Sequence, residues 1–342
     1  MATIRDVAKL AGVSISTVSL ALNETGKVNE DTYQRIWQAA RDVGYVANPV
    51  AQSLKSGRSR LIGMIVGDIS NPFFGKILQE VERYAIEKNH LVIVSESRAD
   101  PERDLAILEQ LSGQRVAGVI LSPHGRGREY VERISSYRMP IVMLDHKVEG
   151  IDADFIGSDN VLASAMLTEH LIRWGHTRIA HIAGITGLWT AEQRMKGFYD
   201  TMAASGLPVD DSLVVRGEYD GDLSYTQAMR LLTRPDRPTA ILAANNITAL
   251  GVLQAINDLG LKCPADISLT CIDDVPWSNV ISPRLTMAVQ SIDEIARVAS
   301  KWLLERISSR TPEAIAAREH IVDPRLLIGQ SCAAPAQFST KV

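Results

Sequence analysis

An all-α head joined to a larger α/β body of two doubly wound, parallel-sheet lobes is the architecture this sequence predicts. Three observations carry it. The first sixty residues hold short amphipathic segments with helix-capping residues and a Gly-containing turn between them. From Leu61 onward, near-continuous apolar runs of strand length alternate with helical patterns, as buried parallel strands and their crossover helices do. That register restarts after Asp159, so the alternation occurs twice.

In the head, Thr3-Ile4-Arg5-Asp6 has the Ser/Thr-x-x-acid form of a capped helix start, which predicts a helix from Ile4. Val7, Ala8, Leu10 and Ala11 follow at helical spacing and Gly12 supplies a turn. Ser14 can cap a second helix that carries Val18 and Leu22 inward. Ile15, Ser16, Ser19 and Leu20 then lie outward, where a recognition helix would enter a major groove. A third helix begins after Asn29, with Glu30 and Asp31 in its first turn, Ile36, Ala39, Ala40 and Val43 buried, and Gly44 as its stop.

In the body, strands are predicted at Leu61 to Val66, Leu91 to Val94, Val116 to Leu121 and Pro140 to Leu144. Between them, Phe74 to Lys88 carries Ile77, Leu78, Val81 and Tyr84 on one face, and Asp104 to Leu111 carries Leu105, Leu108 and Leu111. The second series has helices near Ala163 to Trp174, Glu192 to Ala204, Tyr225 to Leu232 and Thr248 to Leu259. Its strands fall at Ile179 to Ala183, Leu213 to Val215, Ala240 to Ala243 and Ile267 to Ile272.

Composition fits a globular protein of more than one domain: 342 residues, 46% hydrophobic and 22% charged, exceed one ordinary domain and suffice for a core. The first sixty residues carry eight Lys/Arg against five Asp/Glu, while the remainder carries 28 against 35, so net charges of +3 and −7 make up the total of −4. Positive charge is concentrated in the head, which agrees with a nucleic-acid partner without identifying one. No apolar leader and no run of about twenty apolar residues is present, so a cytoplasmic protein without a membrane partner is expected.

The words Thr3-Ile4-Arg5-Asp6-Val7-Ala8, Ala11-Gly12-Val13-Ser14, Thr17-Val18-Ser19, Leu22-Asn23, Gly44-Tyr45 and Asn48-Pro49 resemble, in order and spacing, the opening of the lactose/purine repressor (LacI) family. The body resembles the periplasmic-binding-protein-like core of the same family. Asp68 to Phe74, Gly175 to Ala180, Arg194-x-x-Gly197-Phe198, Ala244-Asn245-Asn246 and Asp273-Asp274 carry that likeness. The resemblance implies a helix-turn-helix DNA-binding domain over 1–47 and a hinge helix and linker over 48–60. It implies a first lobe over 61–160 plus about 290–320, a second over 161–289 plus about 321–332, and a tail over 333–342.

It implies a sequence-specific repressor that binds near-palindromic operator DNA as a homodimer and is controlled by a small effector, most simply a sugar or sugar derivative. The DNA-binding set is Thr3, Ile4, Ile15, Ser16, Thr17, Ser19, Leu20, Asn23, Tyr45, Leu54 and Lys55. Within it Ile15, Ser16 and Leu20 face base edges, and Thr17, Ser19, Asn23 and Tyr45 hold phosphates. Leu54 wedges into the minor groove with Lys55 alongside. Leu20 departs from the Arg common in the family; a leucine cannot make the bidentate contact to guanine and suits a thymine methyl instead.

Effectors of open α/β sheets bind beyond the carboxyl ends of the strands. Asp68, Ser70, Phe73, Phe74, Asp145, Tyr219, Asn245 and Asp273 fall just after such ends, with Arg194 on a second-lobe helix, and the resemblance implies the same positions. Carboxylates and amides bind paired hydroxyls while rings stack on apolar sugar faces. His124, His146 and Trp277 are further candidates. Each has a structural alternative: Asp145 and Asp273 as helix caps, Phe73 or Phe74 as core, Arg194 in an inter-lobe pair. A purine or nucleoside effector acting as corepressor is the alternative ligand, and a sugar-binding protein without a DNA role is the alternative class.

No nucleophile-base pair, metal set or nucleotide fingerprint stands out, so no enzyme, catalytic residue, cofactor or metal is expected. His176 and His181, five residues apart, do not share a helical face and read as structural. Cys263, Cys271 and Cys332 lack metal-type spacing and read as inert thiols. Gly184-Ile185-Thr186-Gly187 follows a strand but lacks the form of a phosphate loop; a tight strand-to-helix turn explains it better.

Overall fold

The structure is a computed structural model that describes residues 2–22, 28–45, 59–275, 278 and 280–335. Asn23, the expected hinge with Leu54 and Lys55, Trp277 and most of the tail lie outside the described residues. The chain divides into two compact units, Met1–Arg60 and Leu61–Val342.

The first unit holds α1 (Ile4–Ala11), α2 (Ile15–Leu22) and α3 (Glu30–Asp42). The Asp6 carboxylate accepts from both the backbone N–H and the hydroxyl of Thr3 at 2.8 Å, which satisfies the start of α1. Gly12 ends it at φ +67°, a conformation that favours glycine. Ser14 Oγ accepts from the Thr17 backbone N–H at 3.1 Å and starts α2. Asn29 Oδ1 accepts from Asp31 N–H and starts α3. Val7, Ala8, Ala11, Val18, Ala21, Ile36, Ala39 and Ala40 form the core. Leu10 is a correction: it is 55% exposed, because at 100° per residue it points well away from the arc shared by Val7, Ala8 and Ala11. Val43 and Leu22 are half-buried at the margin of this core.

The second unit contains two six-stranded sheets. The strands of the first are β1 (Leu61–Val66), β2 (Leu91–Glu96), β3 (Gly118–Leu121), β4 (Ile141–Leu144), β5 (Asp154–Ser158) and the late β11 (Glu319–Val322). They run in the order β11-β5-β4-β3-β1-β2, parallel throughout. On one face lie α4 (Pro72–Glu87) and α11 (Ile292–Ser308), packed through Phe73, Ile77, Val81, Ile295, Ala299 and Leu303. On the other lie α5 (Pro101–Gly113) and α6 (Arg128–Ser135), through Leu105, Leu108, Tyr130 and Ile134.

The second sheet is built from β6 (Ile179–Ala183), β7 (Val214–Arg216), β8 (Ala240–Ala243), β9 (Ser268–Ile272), β10 (Thr286–Val289) and β12 (Arg325–Leu327). Its order is β12-β10-β9-β8-β6-β7, with β12 alone antiparallel to its neighbour. One face packs on α9 (Gly221–Leu232) and α10 (Asn246–Asp258), the other on α7 (Asn160–Arg173) and α8 (Trp189–Ala204). The chain passes between lobes three times: from β5 into α7, from β10 into α11, and from β11 into β12. Each crossing is only one or two residues long, so the two rows of strand ends are held face to face across a cleft. Among the described residues no helix is long and apolar enough to cross a membrane.

The buried histidines outside the cleft have structural partners. His176 sits 2.9 Å from Thr239 Oγ1 and 3.0 Å from Ser268 Oγ, and His181 Nδ1 is 3.0 Å from the Leu242 carbonyl. Burial pushes the Cys263 thiol up to about 12, so it stays protonated at neutral pH. Among the described residues no group of three His, Cys, Asp or Glu side chains is placed to hold a metal ion.

Candidate functional site

The outward face of α2 is the first candidate. Ile15 is 46% and Leu20 40% exposed, and Ser16 is exposed between them, whereas Val18 and Ala21 are buried. At 100° per residue Ile15, Ser19, Ser16 and Leu20 follow one another around a single side of the helix. Two exposed aliphatic residues beside a serine lie outside the apolar core of this unit. Thr17 is half-buried, with its hydroxyl 2.8 Å from Ser14 Oγ at the helix start. Thr3 is exposed at the start of α1. Ile4 and Tyr45 pack partly against the head core, so they lend at most an edge to any surface contact.

The second candidate is a cavity of about 370 Å³ between the two lobes of the body. Asp68, Phe73, Phe74, Asp145, Arg194, Tyr219, Asn245 and Asp273 all line it. Ser70 does not: it is exposed, and its N–H and hydroxyl both donate to Asp68 Oδ1, at 2.8 and 2.6 Å. The turn after β1 therefore spends Ser70 on holding Asp68. Asn71 caps α4 by accepting from Phe73 N–H, which sets Phe73 and Phe74 edge to face, 5.1 Å apart, against the cavity and the first-lobe core at once.

Asp145 follows β4 and Asp273 follows β9, and neither caps a helix. Both take left-handed backbone, at φ +67° and +72°, as do Glu218 and Tyr219 on the same cavity. Such residues cost on the order of 1 kcal/mol or more each and cluster where a side chain must be aimed. Arg194 is 3% exposed and largely committed. Its Nε donates to Asn160 Oδ1 and its Nη1 to the Ala244 carbonyl, both at 2.7 Å; Nη2 lies 3.9 Å from Asp273 Oδ2. Its guanidinium also faces the Tyr219 ring at 5.7 Å. Asn245 Oδ1 caps α10 through Thr248 N–H, leaving its amide NH₂ for the cavity.

Burial pushes the Asp145 carboxyl up to about 6; the charge of Asp273 adds to this and that of Arg194 opposes it. Burial likewise raises Asp273, against Arg194 and the Gln290 amide, which donates to Asp273 Oδ1 at 2.6 Å. Burial, with the neighbouring His124 and Arg194, drives His146 well below its usual value, so it is neutral. His146 Nε2 lies 3.4 Å from Asp145 Oδ2 and is placed to carry the proton toward it. Among the described residues, three buried atoms beside the cavity then have no partner: Asp145 Oδ1, His146 Nδ1 and Gln290 Oε1. In these protonation states all three are acceptors. The walls carry six carboxylates, Asp68, Glu96, Asp145, Glu218, Asp220 and Asp273, against Arg98 and Arg194.

Gln290, which lines the cavity, and Asn160, which holds Arg194, are candidate site positions that the sequence reading missed. Gln290 lies on the second crossing and Asn160 on the first, each bonded to a cavity side chain. Their only signal was a polar residue at the end of a strand, and β5 and β10 were not legible as strands. Contacts that bridge the lobes next to the cavity include Asn246 Nδ2, which donates to Asn71 Oδ1 at 3.2 Å, and Lys76, which pairs with Asp274 at 3.7 Å.

Comparison with known proteins identifies the family of each part of the chain. Residues 3–48 match the family model of bacterial regulatory proteins, lacI family, and residues 168–332 match that of the periplasmic binding protein-like domain. The chain is 33% identical over 333 residues to the HTH-type transcriptional repressor PurR of Haemophilus influenzae (strain PittEE), covering 97% of this chain and 98% of that protein. It is 33% identical over 314 residues to the ribose operon repressor of Escherichia coli (strain K12), covering 91% and 94%. A crystal structure of the lac repressor dimer bound to operator and the anti-inducer ONPF superposes with a TM-score of 0.85 at 26% identity, covering 97% of this chain and 99% of that one.

Proposed function

This chain belongs to the lacI family of bacterial regulatory proteins, and from that premise we propose that its effector is an uncharged, hydroxyl-rich sugar held between the lobes. The protein is a DNA-binding transcriptional repressor of that family. The single observation behind the effector assignment is the set of three unpartnered buried acceptors, Asp145 Oδ1, His146 Nδ1 and Gln290 Oε1, in a cavity walled by excess carboxylates. Buried acceptors without donors cost about 1–3 kcal/mol each, and a ligand that donates several O–H groups removes that cost. A phosphorylated or acidic sugar would meet those carboxylates as a like charge. One of the relatives is a ribose operon repressor; a polyol offers O–H donors to the unpartnered acceptors, while the Phe73 ring edge and Tyr219 provide apolar faces.

The head reads DNA through Ile15, Ser16 and Leu20, with Thr17 and Ser19 on phosphates and Thr3, Ile4 and Tyr45 at the margin. Asn23, Leu54 and Lys55 complete the set. Two copies bind a near-palindromic operator, as two-fold symmetry requires of a dimer; the lac repressor structure is likewise of a dimer bound to operator. The domain limits follow the same reading: 1–47 head, 48–60 hinge and linker, then the two lobes. Effector closes the lobes about the three crossings, and its differential affinity for the two states sets the change in operator affinity. The cavity binds and does not turn over its ligand; conversion of a bound sugar would overturn that part.

Titrating unphosphorylated sugars into a fluorescent operator complex tests the proposal. At least one should shift operator affinity by about 5- to 150-fold, the usual range of such coupling, and the direction of the shift separates induction from corepression. If only purines or phosphorylated sugars act, the effector assignment is wrong. For the head, Leu20→Arg should move the selected operator toward guanine at one position in each half-site, by about 1–3 kcal/mol of discrimination, read by selection from a randomised operator pool. An unchanged selected sequence would remove Leu20 from the base-reading set.

A further inference from the structure

A second chamber of about 360 Å³ adjoins the effector cavity and shares Ala99, His124, Ile185 and Leu188 with it. Its inner wall is buried and mostly apolar, from Leu105, Tyr130 and Leu188, whereas Glu102, Arg126 and Glu129 form an exposed rim. The Tyr130 hydroxyl and the His124 backbone N–H both donate to the Asp104 carboxylate at 2.8 Å, so the Tyr130 ring is fixed as a wall. Its other side is the glycine-bounded loop Gly184-Ile185-Thr186-Gly187.

The two glycines of that loop serve one chamber each. A Cβ on Gly184 would lie 2.2 Å from the Tyr219 ring of the effector cavity. Gly187 has φ +77°, and a Cβ there would lie 1.5 Å from Arg126 Nη1. The first-lobe guanidinium therefore rests on bare second-lobe backbone and spans the chamber from lobe to lobe. Gly187 N–H is held by Glu192 Oε1 at 2.8 Å, which fixes the seat on which Arg126 rests.

We propose that this chamber is a second subsite, taking the distal unit of an uncharged glycoside whose first sugar fills the acceptor-rich cavity, with Arg126 closing over it. This rests on the sugar reading above. The chamber is nearly as large as the effector cavity and meets it along a shared wall. An apolar floor beneath a rim of charged hydrogen-bonding groups suits a ring with one apolar face and polar edges. Two rim carboxylates against one guanidinium give no preference for an anion. Because Arg126 and Gly187 belong to different lobes, the subsite is complete only when the cleft is closed, so filling it favours that state.

The test is calorimetric titration of the full-length protein with three matched pairs: D-glucose and cellobiose, D-galactose and melibiose, D-ribose and uridine. One glycoside should bind at least about tenfold more tightly than its free sugar, the gain expected from one or two added hydrogen bonds with some apolar burial. Arg126→Ala, at an exposed position, should abolish that gain while free-sugar affinity stays within about twofold, and Arg126→Lys should keep part of it. A free sugar that binds as well as or better than its glycoside overturns the second subsite alone. Equal loss for both partners in Arg126→Ala does the same. If none of the six probes binds, the uncharged-sugar reading itself fails, and the subsite with it.

Discussion

Asp145 and Asp154 lie at opposite ends of neighbouring strands in one sheet, and both carboxylates are buried. Arg306 grips Asp154 with two bonds of 2.7 Å, and Arg318 adds its backbone N–H and two guanidinium bonds. Burial opposes ionisation there, but these partners outweigh it and hold the carboxyl down at about 2. At Asp145 the nearest basic group is a neutral histidine, Arg194 is committed elsewhere, and burial leaves the carboxyl at about 6. One end of the sheet is finished and the other is left open for donors the protein does not supply. A complete buried ion cluster marks structure; an incomplete one at strand carboxyl ends marks where a ligand belongs.

The largest effect should come from breaking the finished end. Arg306→Met leaves Asp154 and the carbonyls of Pro312, Ile315 and Ala316 short of donors, and should cost about 3–5 kcal/mol in urea unfolding. The open end should respond in the opposite direction. The Asp145 carboxyl is raised, so the folded chain binds more protons than the unfolded one between about pH 4 and 6. Native stability from this group therefore falls as pH rises through that window. Asp145→Asn should remove that slope and stabilise the ligand-free protein by up to about 3 kcal/mol at pH 8, while weakening sugar binding at least about tenfold. If Asp145→Asn destabilises the protein as Arg306→Met does, the contrast between the two ends is false. The smallest effect should be at Ser70, which lies outside the cavity. Ser70→Ala should change stability by no more than about 0.5 kcal/mol and leave sugar affinity within about twofold.

Legibility followed the range of the interactions involved. α1, α2 and α3 could be read because caps and inward faces are local: Thr3 with Asp6, Ser14 with Thr17 and Asn29 with Asp31 act within three residues. β1, β4 and β8 could be read because strands covered on both faces are apolar throughout, and β6 because His181 alone interrupts its apolar run. β5 escaped because it begins at Asp154 and ends Gly157-Ser158, polar positions explained only by Arg306, Arg318 and the β11 carbonyl of Val322. β11 and β12 are short edge strands, and α6 shows its inward pair Tyr130 and Ile134 over barely two turns. In the cleft, eight of the nine residues singled out from strand ends line one cavity. Gln290 and Asn160 needed partners on other elements, 17 and 34 residues away, and the neutral state of His146 needed complete burial.

The sequence by itself determined the twofold alternation of buried strands and helices, the capped head with Leu20 on its outward face, and the placing of Asp68, Asp145, Asn245 and Asp273 just beyond strand ends. These rest on periodicity and on contacts only a few residues long. Tertiary structure alone decided which of those carboxylates would lack a partner, that Ser70 would be used up in holding Asp68, and that Arg126 would cross the cleft to Gly187. A pKa, an unsatisfied acceptor and a shared chamber wall depend on everything within a few ångströms, and only the three short crossings between lobes bring those groups together.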